Sequence, residues 1–325
     1  MTLNTGIAGL GRWGQVLVDS VHNKSQKIHI TAGCTGRKER ARDYCATNGI
    51  DLRDSLEDLL ADDALNAIIL ATPHSQHAEQ IIACAKAGKH VFVEKPMTLT
   101  VAGAEAATAA CRDAGVVCAL GHNRRFLPAM ARLREMATGG ELGKLVHVES
   151  NISMPSGYRH GAEHWRTTVA ESPAGGMTPL GIHMVDALIS FLGPIAEVRA
   201  SSERHVLETE VNDTTFMTFR YASGIAGTMT TITVTAPVWR IQVFGSAGWA
   251  EMRSHERLAW RMNDDAEETV VDFEPVDTMH LELEAFAEAV SGGAAYPLPI
   301  GEAVHGVAVL EAIIRACENG ETVVV

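Results

Sequence analysis

Near its beginning the chain reads Gly6-Ile7-Ala8-Gly9-Leu10-Gly11-Arg12-Trp13-Gly14, and this stretch decides the fold. Its glycines form the pattern G-x-G-x-x-G between a short apolar strand and residues 15–21, whose apolar pattern predicts a helix. The first glycine permits a tight turn, the second lets the backbone approach a pyrophosphate, and the third allows close packing of helix on strand. Free N–H groups at the start of that helix favour phosphate. These features predict a dinucleotide site that includes Gly9, Gly11, Arg12, Trp13 and Gly14. The alternative is a glycine-rich turn that binds no nucleotide.

The second predicted strand, residues 28–34, is followed by basic residues instead of an acid. A NAD-binding site usually carries Asp or Glu at this point to bind the ribose diol. Residues 27–38 contain no acid and end in Thr35-Gly36-Arg37-Lys38. Small residues leave room for a 2′-phosphate and basic ones bind it, so the sequence favours NADP(H) over NAD(H), with Thr35, Arg37 and Lys38 as ligands. The alternatives are NAD(H) as cofactor and a solvated helix start for the two basic residues.

Strands alternate with helices up to residue 120, which predicts an α/β Rossmann domain with a doubly wound parallel sheet over residues 1–122. Open sheets of this kind bind ligands at the carboxyl ends of their strands. The apolar run at 67–71 ends at Thr72, and the run Val91-Phe92-Val93 ends at Glu94-Lys95-Pro96. Further residues assigned to the cofactor at this edge are Thr72, Pro73, His74, His77, Glu94, Lys95 and Asn123.

After residue 122 the pattern changes to longer strands that follow one another. Residues 214–219 alternate with a period of two, and Ala222-Ser223-Gly224 forms a hairpin turn. These features predict an α+β domain over residues 123–325, built on a large, mainly antiparallel sheet. Helices are predicted at 281–290 and 302–318, the second being a candidate to pack back on the first domain.

Composition excludes several classes of function. The chain has 325 residues and a formal net charge of −13, which argues against nucleic acid and anionic membrane surfaces as partners. No apolar run approaches the ~18 residues of a membrane span. The beginning of the chain carries no basic export signal and the six cysteines form no CxxC pair, so a cytoplasmic protein with reduced thiols is expected. His74, His77, His160 and His164 have no further ligand at a recognised spacing, so no metal site is predicted.

Four motifs stand together in this chain: Gly9 to Gly14, Thr72-Pro73, Glu94-Lys95-Pro96 and Gly181-Ile182-His183-Met184-Val185-Asp186. In this order and spacing the chain resembles, over essentially its whole length, the Gfo/Idh/MocA oxidoreductases, the family of glucose–fructose oxidoreductase and inositol dehydrogenase. The resemblance implies hydride transfer between a nicotinamide cofactor and the hydroxyl or carbonyl carbon of a sugar, polyol or related hydroxy acid. It also implies that the sheet of the second domain is open and that this domain serves substrate binding and oligomerisation, giving a homodimer or homotetramer through the C-terminal sheet. Catalytic roles would fall on Lys95 and His183.

The residue types suit that chemistry. A histidine with an unperturbed pKa near ~6.5 can accept a hydroxyl proton at neutral pH, and a lysine can stabilise the developing alkoxide. A hydrogen-bonded core histidine is the alternative for His183. The family usually has Asp four residues before this histidine, where the chain has Pro179. We therefore expect Thr178 to be the N-cap of a helix that starts at Pro179. Asp186, another group or the substrate's own groups would then support His183, or the substrate would differ from the common polyols. The departure leaves a regulator or scaffold that binds the cofactor without turnover as the alternative function.

The loop over residues 156–166 precedes the predicted helix of His183 and is expected to carry substrate specificity. Trp165 would stack on a sugar or on the nicotinamide, and Arg159 and Arg166 would bind a substrate carboxylate. An exposed loop with ordinary arginines is an equally open interpretation. The residues predicted to contact substrate are Asp186, Tyr158, Arg159, His164, Trp165, Arg166 and Arg125.

Overall fold

The computed structural model describes residues 2–159, 161 and 163–325. The chain divides into two compact units, one of residues 1–123 with 277–304 and the other of residues 124–276 with 305–325. The predicted boundary at 122/123 lies one residue from the observed division. However, the sequence assigned all of 123–325 to the second domain, whereas residues 277–304 belong to the first unit.

Strands and helices alternate up to residue 121, and strands dominate from residue 145 to residue 272. The strands are β1 (Leu3–Ala8), β2 (Ile28–Cys34), β3 (Asp51–Leu52), β4 (Ala67–Leu70), β5 (His90–Glu94), β6 (Cys118–Gly121), β7 (Leu145–Ser153), β8 (Ile195–Glu203), β9 (Thr214–Tyr221), β10 (Ala226–Ile232), β11 (Val238–Gly245), β12 (Gly248–Met252), β13 (Arg257–Met262), β14 (Thr269–Asp272) and β15 (Val323–Val324). The helices are α1 (Arg12–Val21), α2 (Lys38–Asn48), α3 (Leu56–Leu60), α4 (His77–Lys86), α5 (Val101–Ala114), α6 (Pro128–Thr138), α7 (Ile182–Leu192), α8 (Thr278–Val290) and α9 (Ile300–Asn319).

The first unit is built on a parallel sheet with the strand order β3-β2-β1-β4-β5-β6 over the described residues. Every residue of β4 is buried, as expected for a strand covered by helices on both faces. The order reverses between β1 and β4, and ligands bind such sheets beside this point, outside the carboxyl ends of the strands. The predicted doubly wound Rossmann sheet is confirmed.

Helix α8 belongs to the first unit because its apolar face is buried there. Leu283, Phe286 and Ala287 lie on one face of the helix and share a core with Ile7. The rings of Phe92 and Phe286 have centroids 5.8 Å apart. This packing explains the difference from the predicted domain division, since helical periodicity shows that a face is buried but not which sheet buries it.

The second unit is built on a sheet with the order β14-β13-β12-β11-β7-β10-β9-β8-β15 in the described part of the chain. Its neighbouring strands run antiparallel except β7 and β10, which run parallel. Along β9 buried and exposed residues alternate, with Met217 and Phe219 in the core and Phe216 exposed. The predicted large, mainly antiparallel sheet is confirmed, whereas assembly through it stays a prediction.

Helix α9 packs mainly into the second unit. Val309, Leu310 and Ile313 are buried in that unit's core, and His305 accepts a hydrogen bond through Nε2 from the N–H of Ile195 (3.0 Å). Residues 305–319 of this helix belong to the second unit and residues 300–304 to the first. The prediction that the helix packs back on the first domain stays a prediction. None of the described helices, α9 included, combines the length and apolarity needed to cross a bilayer.

Candidate active site

Each of the three glycines in the turn between β1 and α1 has its own structural role. Gly9 has φ +104°, a conformation that favours glycine, and a Cβ there would overlap the carbonyl of Ala71. A Cβ at Gly14 would overlap the carbonyl of Gly9, so the third glycine allows α1 to approach the turn. A Cβ at Gly11 would enter open space, which leaves this point of the backbone accessible to a ligand.

The start of α1 is suited to phosphate. Gly11 is its N-cap residue, no described side chain caps it, and its first turn carries no acid. The first N–H groups of the helix are thus available to an external acceptor. Arg12 is exposed beside them, while Trp13 packs partly against the core of the unit. This cradle fits the pyrophosphate of a dinucleotide.

The loops that follow β4 and β5 are fastened to each other by His77. Its buried ring lies with Nδ1 2.9 Å from the carbonyl oxygen of Pro96 and Nε2 3.1 Å from that of Thr72. The hydroxyl of Thr72 donates to Gln80 Oε1 (2.5 Å). His74, buried in the same turn, places its ring 6.0 Å from that of His77. His77 therefore holds the edge of the site, and a direct contact of these side chains with a cofactor stays a prediction.

Lys95 lies at the carboxyl end of β5, as the sequence predicted. Glu94, the last residue of the strand, is buried beside Gly121, where a Cβ would lie 3.1 Å from Glu94 Oε1. The N–H of Lys95 donates to Glu94 Oε2 (3.3 Å), and the Lys95–Pro96 peptide bond is cis. The lysine side chain is half-buried at the sheet edge.

The end of β2 combines positive charge with an unexpected carboxylate. Arg37 is exposed, and as N-cap residue of α2 it makes no side-chain capping bond. Lys38 forms an ion pair with Asp54, a residue that the sequence reasoning missed. Pairing of β3 with β2 brings Asp54 to this edge, and no local pattern around residue 38 could have indicated it.

In the second unit, the helix of His183 begins later than predicted. The expected start at Pro179, with Thr178 as the N-cap residue, is wrong, since α7 begins at Ile182 with Gly181 as its N-cap residue. The N–H of Gly181 donates to the carbonyl of Gly176 (3.1 Å) in a turn that precedes the helix. Pro179 lies within this turn and has no N–H, so it removes one bond of the helical ladder and separates the turn from α7.

Two glycines allow that turn to pack tightly and fix the start of α7. A Cβ at Gly176 would overlap the methyl group of Thr233, and one at Gly181 would overlap the sulfur of Met177. A larger residue at either position would therefore force Thr233 or Met177 to move. His183 is the second residue of α7 and is 4% exposed.

Arg125 and Asp186, both predicted to contact substrate, contact each other. Arg125 donates from Nε to Asp186 Oδ2 (2.9 Å) and from Nη2 to Oδ1 (2.8 Å), and both side chains are 6% exposed. Arg125 lies in the turn before α6, and Asp186 lies on α7, three residues after His183. The buried bidentate pair therefore joins that turn to α7. A substrate contact by either residue, and support of His183 by Asp186, stay predictions.

The specificity loop is partly ordered by its own aromatic stacking. The ring centroids of Trp165 and His164 lie 5.7 Å apart, with an angle of 25° between the ring planes. The guanidinium carbon of Arg166 lies 4.2 Å from the centroid of the Trp165 ring. The hydroxyl of exposed Tyr158 donates to the carbonyl of Val234 (3.4 Å), and Arg159 is exposed. His160 lies outside the described residues.

Asn123 is tied to the start of α8. Its Nδ2 donates to Thr278 Oγ1 (2.9 Å) and lies 3.1 Å from the sulfur of Met279. Its predicted contact with the cofactor stays a prediction. Among the residues that the structure describes, no three or more of His, Cys, Asp or Glu are grouped to hold a metal ion.

Comparison with known families agrees with this geometry. The model of an oxidoreductase family with an NAD-binding Rossmann fold matches residues 3–122, and that of the GFO/IDH/MocA C-terminal domain matches residues 130–251. The chain belongs to the Gfo/Idh/MocA family. Within this family it is 36% identical to the 4-carboxy-2-hydroxymuconate-6-semialdehyde dehydrogenase of Sphingobium sp. over 43% of this chain and 44% of that protein.

Other Gfo/Idh/MocA relatives match over the whole chain. The D-xylose 1-dehydrogenase (NADP(+)) 2 of Haloferax volcanii is 28% identical over 98% of this chain and 97% of its own length. A solved structure from Desulfitobacterium hafniense DCB-2, described as a candidate NADPH-dependent oxidoreductase, has a TM-score of 0.92 and 25% identity over 100% of this chain and 98% of that one. The first three curated relatives are matched over 44%, 64% and 42% of their lengths, less than two thirds in each case.

Proposed function

We propose that this Gfo/Idh/MocA protein is an NADP(H)-dependent oxidoreductase that acts on a hydroxyl or carbonyl carbon of a sugar, polyol or related hydroxy acid. The observation that carries the proposal is the glycine cradle at the start of α1, on the sheet whose carboxyl edge also bears Lys95. The activities named for the relatives, a D-xylose 1-dehydrogenase among them, support the substrate class.

The proposed chemistry divides between two side chains. When bound, the oxidised nicotinamide of the cofactor would accept the hydride from an alcohol substrate. The family resemblance assigns the stabilisation of the developing alkoxide to Lys95, and the acceptance of the hydroxyl proton to His183 as the carbon–oxygen double bond forms. In the reverse direction, His183 returns the proton to the oxygen of the reduced carbonyl.

A spectrophotometric screen tests this function. The purified protein is offered sugars, polyols, inositols and sugar acids with each nicotinamide cofactor, and the absorbance of the reduced cofactor is followed. We expect turnover of at least one of these hydroxyl or carbonyl compounds. Tight cofactor binding without turnover of any of them would contradict an oxidoreductase and favour the regulator or scaffold considered above.

The cofactor preference is a separate prediction. We expect calorimetric titration to give a lower Kd for NADPH than for NADH. The reasons are exposed Arg37, the uncapped start of α2, and the absence of an acid from residues 27–38. A 2′-phosphate would accept from these donors, whereas a ribose hydroxyl gains little from them. Equal Kd values, or a lower one for NADH, would contradict the assignment.

Lys95→Ala should depress turnover while it leaves the Kd for NADPH within about twofold. Removal of one preorganised electrostatic stabiliser typically costs ~10²–10³ in kcat. Lys86→Ala is the matched control, since Lys86 is an exposed lysine on α4 of the same unit, and it should behave as wild type. A kcat near the wild-type value for Lys95→Ala would make Lys95 a structural residue at the end of its strand.

A further inference from the structure

The segment that follows β3 is bound to the end of β2. Asp51 and Leu52 pair with Ala32 and Gly33, and the N–H of Arg53 donates to the carbonyl of Gly33 (2.8 Å). The next residue, Asp54, thereby reaches the edge where the second strand ends. Its side chain is 87% exposed and ion-pairs with that of Lys38, which is 30% exposed.

Further negative charge lies at the same edge. Burial, and then the negative charges of Glu57 and Asp58, raise the pKa of the Cys34 thiol to about 11, whereas Lys38 lowers it. Asp58 is engaged locally, since its carboxylate accepts from the N–H of Ser55 (3.0 Å) in the capping box of α3. Asp54 is the carboxylate that meets a predicted cofactor ligand directly.

We propose that Asp54 is a specificity-determining residue that restrains the preference for NADP(H) by competing with the 2′-phosphate for Lys38. The inference rests on the proposed dinucleotide function. A 2′-phosphate brings up to two negative charges, so it competes with Asp54 for the ammonium group of Lys38 and is repelled by the carboxylate. The hydroxyls of an unphosphorylated ribose carry no charge, so NAD(H) does not experience this competition.

Calorimetric titration with NADPH and NADH at low ionic strength tests the inference. We expect Asp54→Asn to bind NADPH about three- to tenfold more tightly, the size of a partly exposed charge effect, and NADH within about twofold of wild type. Asp63→Asn is the control, since it removes an equal charge from an exposed residue of the same unit and should change neither Kd. The double variant Lys38→Gln/Asp54→Asn should lose the gain, because Lys38 transmits it.

Three results would overturn the role of Asp54. These are equal NADPH affinities for Asp54→Asn and Asp63→Asn, a gain that persists without Lys38, and weaker NADH binding by Asp54→Asn, which would assign Asp54 to the ribose diol itself. Wild-type protein that binds neither cofactor would reject the proposed function as a whole. Wild-type binding with an unresponsive Asp54→Asn variant would reject only this inference.

Discussion

His183→Ala is expected to lower kcat by about 10²–10⁴ and to leave the Kd for NADPH within about twofold, since it removes the proposed general acid/base. The histidine is the second residue of α7, and the turn before this helix packs tightly at Gly176 and Gly181. A group held this firmly can transfer a proton at one defined position. Alanine leaves the glycine cradle of the first unit untouched, so binding and turnover should separate.

His205→Ala is the control for this variant, because His205 is an exposed histidine of the same unit. Steady-state kinetics on the substrate found in the screen, with circular dichroism to check folding, give the comparison. We expect the control to retain wild-type kcat. Normal turnover by folded His183→Ala would show that the catalytic role implied by the family does not hold for this chain, and would favour a core histidine.

The parallel sheet could be predicted because its signals are local. Each apolar run, such as Ala67–Leu70, is followed within a few residues by a helical pattern, and the glycine motif lies between the first strand and helix. The same local reading placed Lys95 at the end of its strand. The parallel sheet and the glycine turn can therefore be predicted from segments of about 30 residues or fewer, the size of a βαβ unit.

The features that the sequence did not predict depend on distant residues. Asp54 reaches Lys38 only through the pairing of β3 with β2, and Asp186 meets Arg125 across 61 positions of the chain. Spacing had suggested Asp186 as a partner of His183, because residues three apart share a helix face. A helix face does not identify the neighbour packed against it, and here that neighbour supplies a guanidinium.

The Arg125–Asp186 pair leads to a large expected effect on stability. Arg125→Met should lower the free energy of unfolding by about 3–5 kcal/mol, because it leaves the Asp186 carboxylate buried without its bidentate guanidinium. Urea unfolding followed by tryptophan fluorescence measures the loss. Four of the five tryptophans, Trp165, Trp239, Trp249 and Trp260, belong to the second unit and report on it.

Arg132→Met is the control for Arg125→Met, because it removes an ion pair whose carboxylate is exposed to water. It shows how much of the destabilisation comes from burial of the charge and how much from loss of an ion pair. Arg132 also binds a carboxylate through two nitrogens, with 2.7 Å from Nη1 to Glu141 Oε1, but the two side chains are 31% and 43% exposed. Arg132→Met should lower the free energy of unfolding by about 1 kcal/mol or less, since water solvates the remaining Glu141 carboxylate. The double variant Arg125→Met/Asp186→Leu should recover most of the loss, because it removes the buried charge as well. If Arg125→Met destabilises no more than Arg132→Met, the buried pair does not hold α7 in place, and the position of His183 depends on the apolar packing of α7 and on the glycine turn that precedes it.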